Sequence, residues 1–177
     1  MNYSVRKVRR GDEETLAFIQ TESWKAAFKD IISPETLKKC TDKEKSKAMY
    51  REIIEKNIGS GYILSVGSKP HCIAWWDKAR DERFTGYAEL ICIHSLKDGW
   101  GKGYGGQMLD IVLSDMKAAG YEKAMLWVFE KNERARGFYQ AKGFHPTDIT
   151  VPSLGTTEIC YEINFRQTDR ISDKPKK

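Results

Sequence analysis

Gly99-Trp100-Gly101-Lys102-Gly103-Tyr104-Gly105-Gly106 is the stretch of sequence that decides how the rest of this chain is interpreted. It follows an apolar segment at 87–94 that is typical of a central strand, and it precedes an amphipathic helix predicted from about 104 to 119. A helix N-terminus leaves backbone N–H groups unpaired and carries a partial positive charge, and glycines let that backbone approach a ligand closely. The pattern therefore predicts an anion-binding turn, for which the plain alternative is a flexible surface loop.

The segments after this helix extend the turn into a strand-loop-helix-strand unit. Gly120 is placed where a left-handed C-terminal cap is wanted, and residues 124–129 form a continuous apolar run, as in a strand covered on both faces. Asn132 is predicted to cap a last helix that ends at Gly143, and residues 157–165 alternate as a final strand.

The N-terminal half supplies further helices and an antiparallel hairpin. Its predicted elements are a strand at 3–9, a helix from Asp12 to about Phe28, helix starts at Ser33-Pro34 and at Thr41-Asp42-Lys43-Glu44, and paired strands at 62–66 and 72–76. This order predicts an α+β, or mixed α/β, fold with a central twisted, mostly antiparallel sheet flanked by helices. Residues 1–166 are expected to form a single domain, and residues 167–177 a basic C-terminal tail.

Composition narrows the classes of function. With 177 residues, 40% of them hydrophobic and 31% charged, the chain matches an ordinary globular domain and not a disordered one. No signal peptide and no apolar run of about 20 residues is found, so we expect a cytoplasmic protein with no membrane partner. The four cysteines and three histidines lack metal-ligand spacing, so no metal is predicted. The net charge of +5 comes without a nucleic-acid-binding motif, so no nucleic-acid partner is predicted.

The glycine pattern alone leaves two kinds of anion open. Gly101, Gly103 and Gly106 spell the G-x-G-x-x-G of dinucleotide-binding folds, and Glu130 stands at a tolerable distance for the acidic residue of that motif. Too little chain follows residue 130, however, to complete even half of a doubly wound sheet. A Rossmann-type enzyme is therefore the weaker alternative.

Two motifs resemble the GNAT superfamily of N-acetyltransferases. Residues 100–105 lie over the superfamily's pyrophosphate loop, Gln/Arg-x-x-Gly-x-Gly/Ala, with both glycines in place and Trp100 where the superfamily usually has arginine or glutamine. Residues 132–144 are similar to N-x-x-A-x-x-F-Y-x-x-x-G-F, a second motif at the expected separation. The likeness covers roughly residues 3–165 and implies a GNAT-like domain in which one parallel pair of strands splays apart.

The resemblance implies an N-acyltransferase that uses acyl-CoA, most simply acetyl-CoA, and transfers the acyl group to a primary amine by direct attack. The acceptor would be a small-molecule amine, or the N-terminus or a lysine of a peptide, and a homodimer is a family-level expectation. A non-catalytic acyl-CoA sensor is the alternative from another class. The residues expected to bind the coenzyme are Ile91, Cys92, Ile93, Gly101, Lys102, Gly103, Tyr104, Gly105, Gly106, Asn132 and Tyr139.

The chemistry needs a base for the protonated amine and an acid for the departing thiolate. Glu89 is the candidate base, because it alternates with Ile91 and Ile93 along one strand and should share their face. Tyr139 occupies the superfamily's position for the acid, two helical turns after Asn132.

Cys92 should face away from Glu89, so no acyl-enzyme is expected. The acceptor pocket is the least determined part. The aromatic residues available to line it are Trp24, Phe28, Tyr50, Trp75 and Trp76. A small amine, a polyamine, an amino-sugar drug and a peptide N-terminus all stay open as acceptors.

Overall fold

The computed structural model describes residues 3–166, and the tail predicted at 167–177 lies outside the described residues. The seven strands are β1 Tyr3–Lys7, β2 Ser60–Val66, β3 Lys69–Lys78, β4 Ala88–Ser95, β5 Lys123–Phe129, β6 His145–Ser153 and β7 Thr156–Asn164. Within residues 3–166, the α-helices that we number are α1 Glu13–Ala27, α2 Pro34–Cys40, α3 Lys43–Glu55, α4 Tyr104–Ala118 and α5 Glu133–Ala141. No helix among the described residues is long and apolar enough to cross a membrane.

All seven strands form one sheet in the order β1-β2-β3-β4-β5-β7-β6. Every neighbouring pair is antiparallel except β4 and β5, which run parallel. The α+β fold with a mostly antiparallel sheet is therefore confirmed. β6 was not predicted from the sequence, because its alternately exposed residues give it little apolar signal.

The helices cover the two faces of the sheet unequally. On one face α4 and α5 bury the largest core cluster, to which α4 contributes Met108, Leu109, Val112 and Met116, all fully buried. On the other face α1 and α3 cover β2 to β4, with Leu16, Ile19 and Tyr50 packed on Ile63 and Ile73. We call these two faces the α4 side and the α1 side.

Two helix starts differ in detail from the expected caps. Asp12 precedes α1, but its carboxylate pairs with both Arg6 guanidinium nitrogens at 2.7 Å instead of capping the helix. The predicted capping box at 41–44 is displaced by one residue, since the Asp42 carboxylate accepts the Lys45 N–H at 3.1 Å. The hydroxyl of Thr41 instead donates to the carbonyl of Leu37, in the preceding helix.

Two irregularities of β4 shape the centre of the sheet. Its pairing with β5 is limited to Ala88 with Ala124 and Glu89 with Met125, after which the strands separate. Its register with β3 also shifts, so that Cys92 faces Trp75 while Leu90 faces Trp76. Ile91 is thus the extra residue of a β-bulge, and residues after it reverse their facing relative to strict alternation.

Candidate active site

A cavity of about 840 Å³ fills the gap where β4 and β5 separate. Because it lies between two strands, it is lined from both sides of the sheet. Residues of α4 and α5 and of the loop before α4 line it on one side, and residues of α1, β5 and the β6–β7 hairpin line it on the other.

Glycine backbone forms the cavity wall at the start of α4. Gly101 and Gly103 have φ of 77° and 83°, values that side chains with a Cβ rarely adopt, and Gly103 is the residue that precedes the helix. The first bond into the helix runs from the Gln107 N–H to the Gly103 carbonyl at 3.1 Å, so the N–H groups of 104–106 lie in its open first turn. Gly101, Gly103 and residues 104–106, which are expected to bind the coenzyme, all line the cavity.

Lys102 is the exception among the predicted loop residues. Its backbone N–H donates to the Gly99 carbonyl at 3.2 Å, which closes a turn within the loop. Its side chain is exposed and does not line the cavity. Lys102 thus shapes the loop while its neighbours face the cavity.

A buried histidine supports this loop from below. His71 packs so closely on Gly99 that a Cβ at residue 99 would lie 1.8 Å from Nε2 of the histidine. The same Nε2 is 3.1 Å from the Ser95 hydroxyl, and Nδ1 is 3.7 Å from an Asp98 carboxylate oxygen. Burial lowers the pKa of His71 despite Asp98. The Tyr104 ring, 5.1 Å away between centroids, completes the contact with the start of α4.

Trp100, which replaces the superfamily's arginine or glutamine, carries an arginine above it. The Arg134 guanidinium lies 3.4 Å from the centre of the Trp100 ring, a cation–π contact, and the indole N–H donates to the Ser95 carbonyl at 2.9 Å. Arg134 lines the cavity, whereas Arg136 is bonded to the Tyr161 hydroxyl and the Glu130 carbonyl. A positive charge is therefore present beside the loop although residue 100 is neutral.

The bulge corrects two expectations about β4. Ile91 and Cys92 both pack toward the α1 side and Ile93 toward the α4 side, so Ile93 does not share a face with Glu89, and Cys92 does. All three line the cavity. Burial raises the pKa of the Cys92 thiol to about 12, so the thiol stays protonated at neutral pH. Cys92 is therefore a poor nucleophile because it is protonated, and not because its side chain faces away from Glu89.

Tyr139 and Asn132 line the cavity from α5 and the residue before it. The Asn132 carboxamide accepts the Ala135 N–H at 3.2 Å, which confirms the predicted helix cap. Tyr139 is 8% exposed, and burial raises its pKa well above the usual value for a phenol, so its hydroxyl keeps its proton at neutral pH.

Glu89 is held away from the cavity by an arginine. Its carboxylate is almost fully buried, and both oxygens accept from Arg80: Oε1 from Nη2 at 2.5 Å, and Oε2 from Nε at 3.1 Å and from the backbone N–H at 3.0 Å. Glu89 is not among the residues that line the cavity. A base at this position could reach the amine only through water, because the Arg80 guanidinium does not give up a proton.

A second carboxylate, which the sequence analysis missed, lines the cavity. Glu158 lies on β7 opposite Phe129 of β5, and burial raises its pKa above the ordinary range of a glutamate. The Ser153 hydroxyl and the charge of Arg80 counteract that rise, and Glu89 adds to it. The only sequence signal was its outward position in the alternating strand, which is also where an ordinary solvent-exposed glutamate stands.

Aromatic rings form the rest of the α1 side. The rings of Trp24 in α1 and of Phe28, which follows α1, meet edge to face at 4.9 Å, and Phe28 meets Phe129 at 5.0 Å. The Trp24 indole N–H donates to Nε2 of His94 at 3.3 Å, and burial lowers the pKa of this histidine to about 4, so it is neutral near pH 7.

Three of the five aromatic residues proposed for the acceptor pocket belong to the core instead. Tyr50 and Trp75 pack in the cluster beneath α1 and α3, and Trp76 packs beneath α4. Trp24 and Phe28 line the cavity. Among the described residues, no group of three or more histidine, cysteine or acidic side chains is arranged to hold a metal ion.

Comparison with known proteins agrees with this geometry. The model of the acetyltransferase (GNAT) family matches residues 19–144. The chain belongs to this family. A probable N-acetyltransferase of Mycobacterium tuberculosis (strain H37Rv) is 24% identical over 147 residues, which cover 81% of this chain and 80% of that protein.

Solved structures share the fold at lower identity. The PaiA N-acetyltransferase from Thermoplasma acidophilum, in complex with coenzyme A, has a TM-score of 0.79 and 22% identity over 93% of this chain and 99% of its own. YncA from Salmonella typhimurium, solved with its cofactor acetyl-CoA, has a TM-score of 0.71 and 14% identity over 92% of this chain and 94% of its own.

Proposed function

We propose that this protein transfers an acetyl group from acetyl-CoA to a primary amine by direct attack in a ternary complex. One observation carries the proposal: a single cavity brings together the open first turn of α4, the Tyr139 side chain and the Glu158 carboxylate. The open turn suits a pyrophosphate, the Tyr139 hydroxyl can protonate a departing thiolate, and the Glu158 carboxylate can accept a proton from an ammonium group. Family membership and the coenzyme complexes of PaiA and YncA support the choice of coenzyme.

The coenzyme would lie along the gap between β4 and β5. The N–H groups of 103–106 offer hydrogen bonds and the positive end of the helix to the pyrophosphate, and Arg134 adds a full charge. At the bulge, Ile91 leaves the ladder with β3, and the separated stretch from Ile91 to Ile93 has backbone groups free of β5 for the pantetheine arm. A backbone N–H there would stabilise the negative charge that develops on the thioester oxygen.

Two carboxylates compete for the role of general base. Glu89 stays the prediction from the sequence, but both its oxygens are engaged by Arg80. Glu158 lines the cavity, and its raised pKa brings it closer to that of the acid it must deprotonate. Glu89→Gln and Glu158→Gln, each measured across pH, discriminate between them: only loss of the true base removes the acidic limb of the kcat/KM profile.

The step at Tyr139 completes the reaction. The amine nitrogen bonds to the thioester carbon, the C–S bond breaks, and the sulfur takes the Tyr139 hydroxyl proton. After the attack the nitrogen is positively charged. It loses its second proton, which passes through water to the tyrosinate and restores the Tyr139 hydroxyl. The raised pKa keeps the Tyr139 hydroxyl protonated, and its place in the cavity lets it donate this proton as the C–S bond breaks.

The first experiment measures binding and turnover separately. Calorimetric titration with acetyl-CoA, NADH and FAD tests the ligand, and release of free thiol in the presence of a panel of primary amines tests catalysis. Tight binding of acetyl-CoA without thiol release from any amine would favour the sensor alternative. Preferred binding of NADH or FAD would favour the Rossmann alternative, which a sheet with one parallel pair already opposes.

Tyr139→Phe is expected to lower kcat by about 100-fold or more, the usual contribution of a positioned acid, and to change the affinity for acetyl-CoA by less than about twofold. The substitution removes one oxygen and keeps the ring that packs on Phe138 and Phe144. Steady-state kinetics with a good acceptor, together with calorimetry, check both halves. Unchanged kcat in the variant would exclude the acid role.

A further inference from the structure

The charged side chains that line the cavity are divided between the two sides of the sheet. Among the described lining residues, Arg134 and Lys142 are the cations, and both lie on the α4 side with the open turn of the helix. Glu158 is the only carboxylate among them, and it lies on the α1 side, since its neighbours Ile159 and Tyr161 alternate onto the α4 side. Among its described lining residues, the α1 side of the cavity thus offers one negative charge.

Apart from the Ser153 hydroxyl and the nearby Arg80–Glu89 ion pair, the surface around that carboxylate is apolar. Trp24, Phe28, Trp127 and Phe129 present rings on the α1 side, joined by the edge-to-face contacts of Phe28 with Trp24 and Phe129. The ring of His94 also lines the cavity there, and it stays neutral because burial lowers its pKa to about 4. A bound cation therefore meets no repulsion from the histidine.

The tip of the β6–β7 hairpin adds an aliphatic side chain at the opening. Leu154 has a φ of 49°, a left-handed conformation that is costly for a side chain with a Cβ, and it is 38% exposed. It lines the cavity beside Ser153 and Glu158. Leu154 and Gly155 form the two-residue loop of the hairpin, which requires positive φ at both positions, so the tight turn fixes Leu154 at the cavity opening.

We infer that the acceptor is a primary monoamine, a single ammonium group on an apolar and preferably aromatic body. The inference rests on the proposed function and names its substrate class. Glu158 pairs with the ammonium group, and the rings and Leu154 bury the carbon body. A second ammonium group, as in a polyamine or an amino sugar, would enter an apolar region that has no second carboxylate among its described lining residues, and would lose solvation without compensation.

Glu158 also has a defined part in the proton balance. It takes one proton from the bound ammonium group, which frees the lone pair that attacks the thioester, and it returns this proton to water after product release. The transfer is eased because burial disfavours the charged carboxylate and the charged ammonium alike, while the neutral pair is tolerated.

A matched pair of acceptors tests the charge count. Hexylamine and 1,6-diaminohexane have the same chain length and differ by one terminal ammonium group, and 2-phenylethylamine supplies a ring. With acetyl-CoA saturating, kcat/KM is expected to be at least about 10-fold higher for hexylamine than for the diamine, and highest for 2-phenylethylamine. Equal or better turnover of the diamine would overturn the inference and leave the proposed function intact. Absence of thiol release with every amine would instead refute the proposed function.

Two glutamate variants test whether Glu158 is the residue that accepts the proton of the acceptor amine. Glu158→Gln should lower kcat/KM for hexylamine by about 100-fold or more and leave the affinity for acetyl-CoA unchanged. Glu130→Gln removes an equal charge from an exposed residue next to β5 that does not line the cavity, and it should change neither quantity. Equal kinetics of the Glu158 variant and the wild type would contradict the assignment, and so would parallel losses in both variants.

Discussion

The two sides of the cavity are built by different means. On the α4 side, part of the wall is the glycine backbone of one short stretch, 99–106, whose glycines and helix start lie next to each other in sequence. On the α1 side, the wall consists of side chains from α1, β4, β5 and β7, which lie far apart in the chain. A backbone site leaves a local signature, because it needs glycine at particular φ values, whereas a side-chain site depends on the tertiary fold.

The largest effect is expected from a substitution that prevents the glycine backbone before α4 from adopting its conformation. Gly103→Val places a β-branched side chain at a φ of 83°, and its Cβ would point into open space beside the first turn of α4. We expect a loss of acetyl-CoA affinity of about 100-fold or more, which is about 2.7 kcal/mol, measured by calorimetry.

The other end of the same helix offers a matched control. Gly120 has a φ of 92° and equally open space around a Cβ, but it does not line the cavity. Gly120→Val should therefore lower the free energy of unfolding by about as much as Gly103→Val and leave acetyl-CoA binding unchanged. If both variants lost affinity equally, the effect would be a general loss of stability, and the backbone site would be refuted.

The same contrast explains which predictions from the sequence held. The helix from 104, its glycine before the first turn and the Asn132 cap are local, and the structure confirms them. The facing of Cys92 and Ile93 was wrong, because a one-residue bulge in β4 is set by pairing with β3 and leaves no mark in the apolar run 87–94. Glu158 was missed for a related reason, since only the fold brings β7 next to the gap after β4.

Ion pairs between residues on different segments cannot be predicted from the sequence either. Nothing in residues 87–94 indicates that the loop after β3 supplies Arg80 to Glu89 with three hydrogen bonds. The aromatic candidates show the same limit: the sequence offers all five to line the acceptor pocket, and only the packing of α1 selects Trp24 and Phe28 for the cavity. Residue type is readable from the sequence, but the partner is not.

The next test concerns the α1 side and uses the lowered pKa of His94. Its pKa is about 4 in the folded protein, against about 6.5 in an unfolded chain. Between these values the unfolded state binds a proton that the folded state does not, so the free energy of unfolding falls as the pH falls from 6.5 to 4. We expect a loss of about 1 to 2 kcal/mol over this window, measured by urea unfolding.

His94→Gln should remove that part of the pH dependence, since glutamine does not titrate. His71, whose pKa is also lowered by burial, contributes in the same direction and remains in the variant, so the dependence should shrink and not vanish. His145→Gln, which changes an exposed histidine of β6 outside the cavity, is the control variant. An unchanged profile in the His94 variant would mean that this ring is solvated enough to take up a proton when folded.

The smallest expected effect separates backbone strain from side-chain function at one residue. Leu154 and Asn57 have nearly equal positive φ values, 49° and 51°, but only Leu154 lines the cavity. Because asparagine adopts this conformation readily, Leu154→Asn should raise the free energy of unfolding by roughly 0.5 to 1 kcal/mol, and Asn57→Leu should lower it by a similar amount. Only Leu154→Asn should also raise KM for hexylamine, by about threefold, as the buried apolar area shrinks. A gain in stability with unchanged KM would show that Leu154 does not contact the acceptor, and equal KM changes in both variants would show that strain alone moves the site.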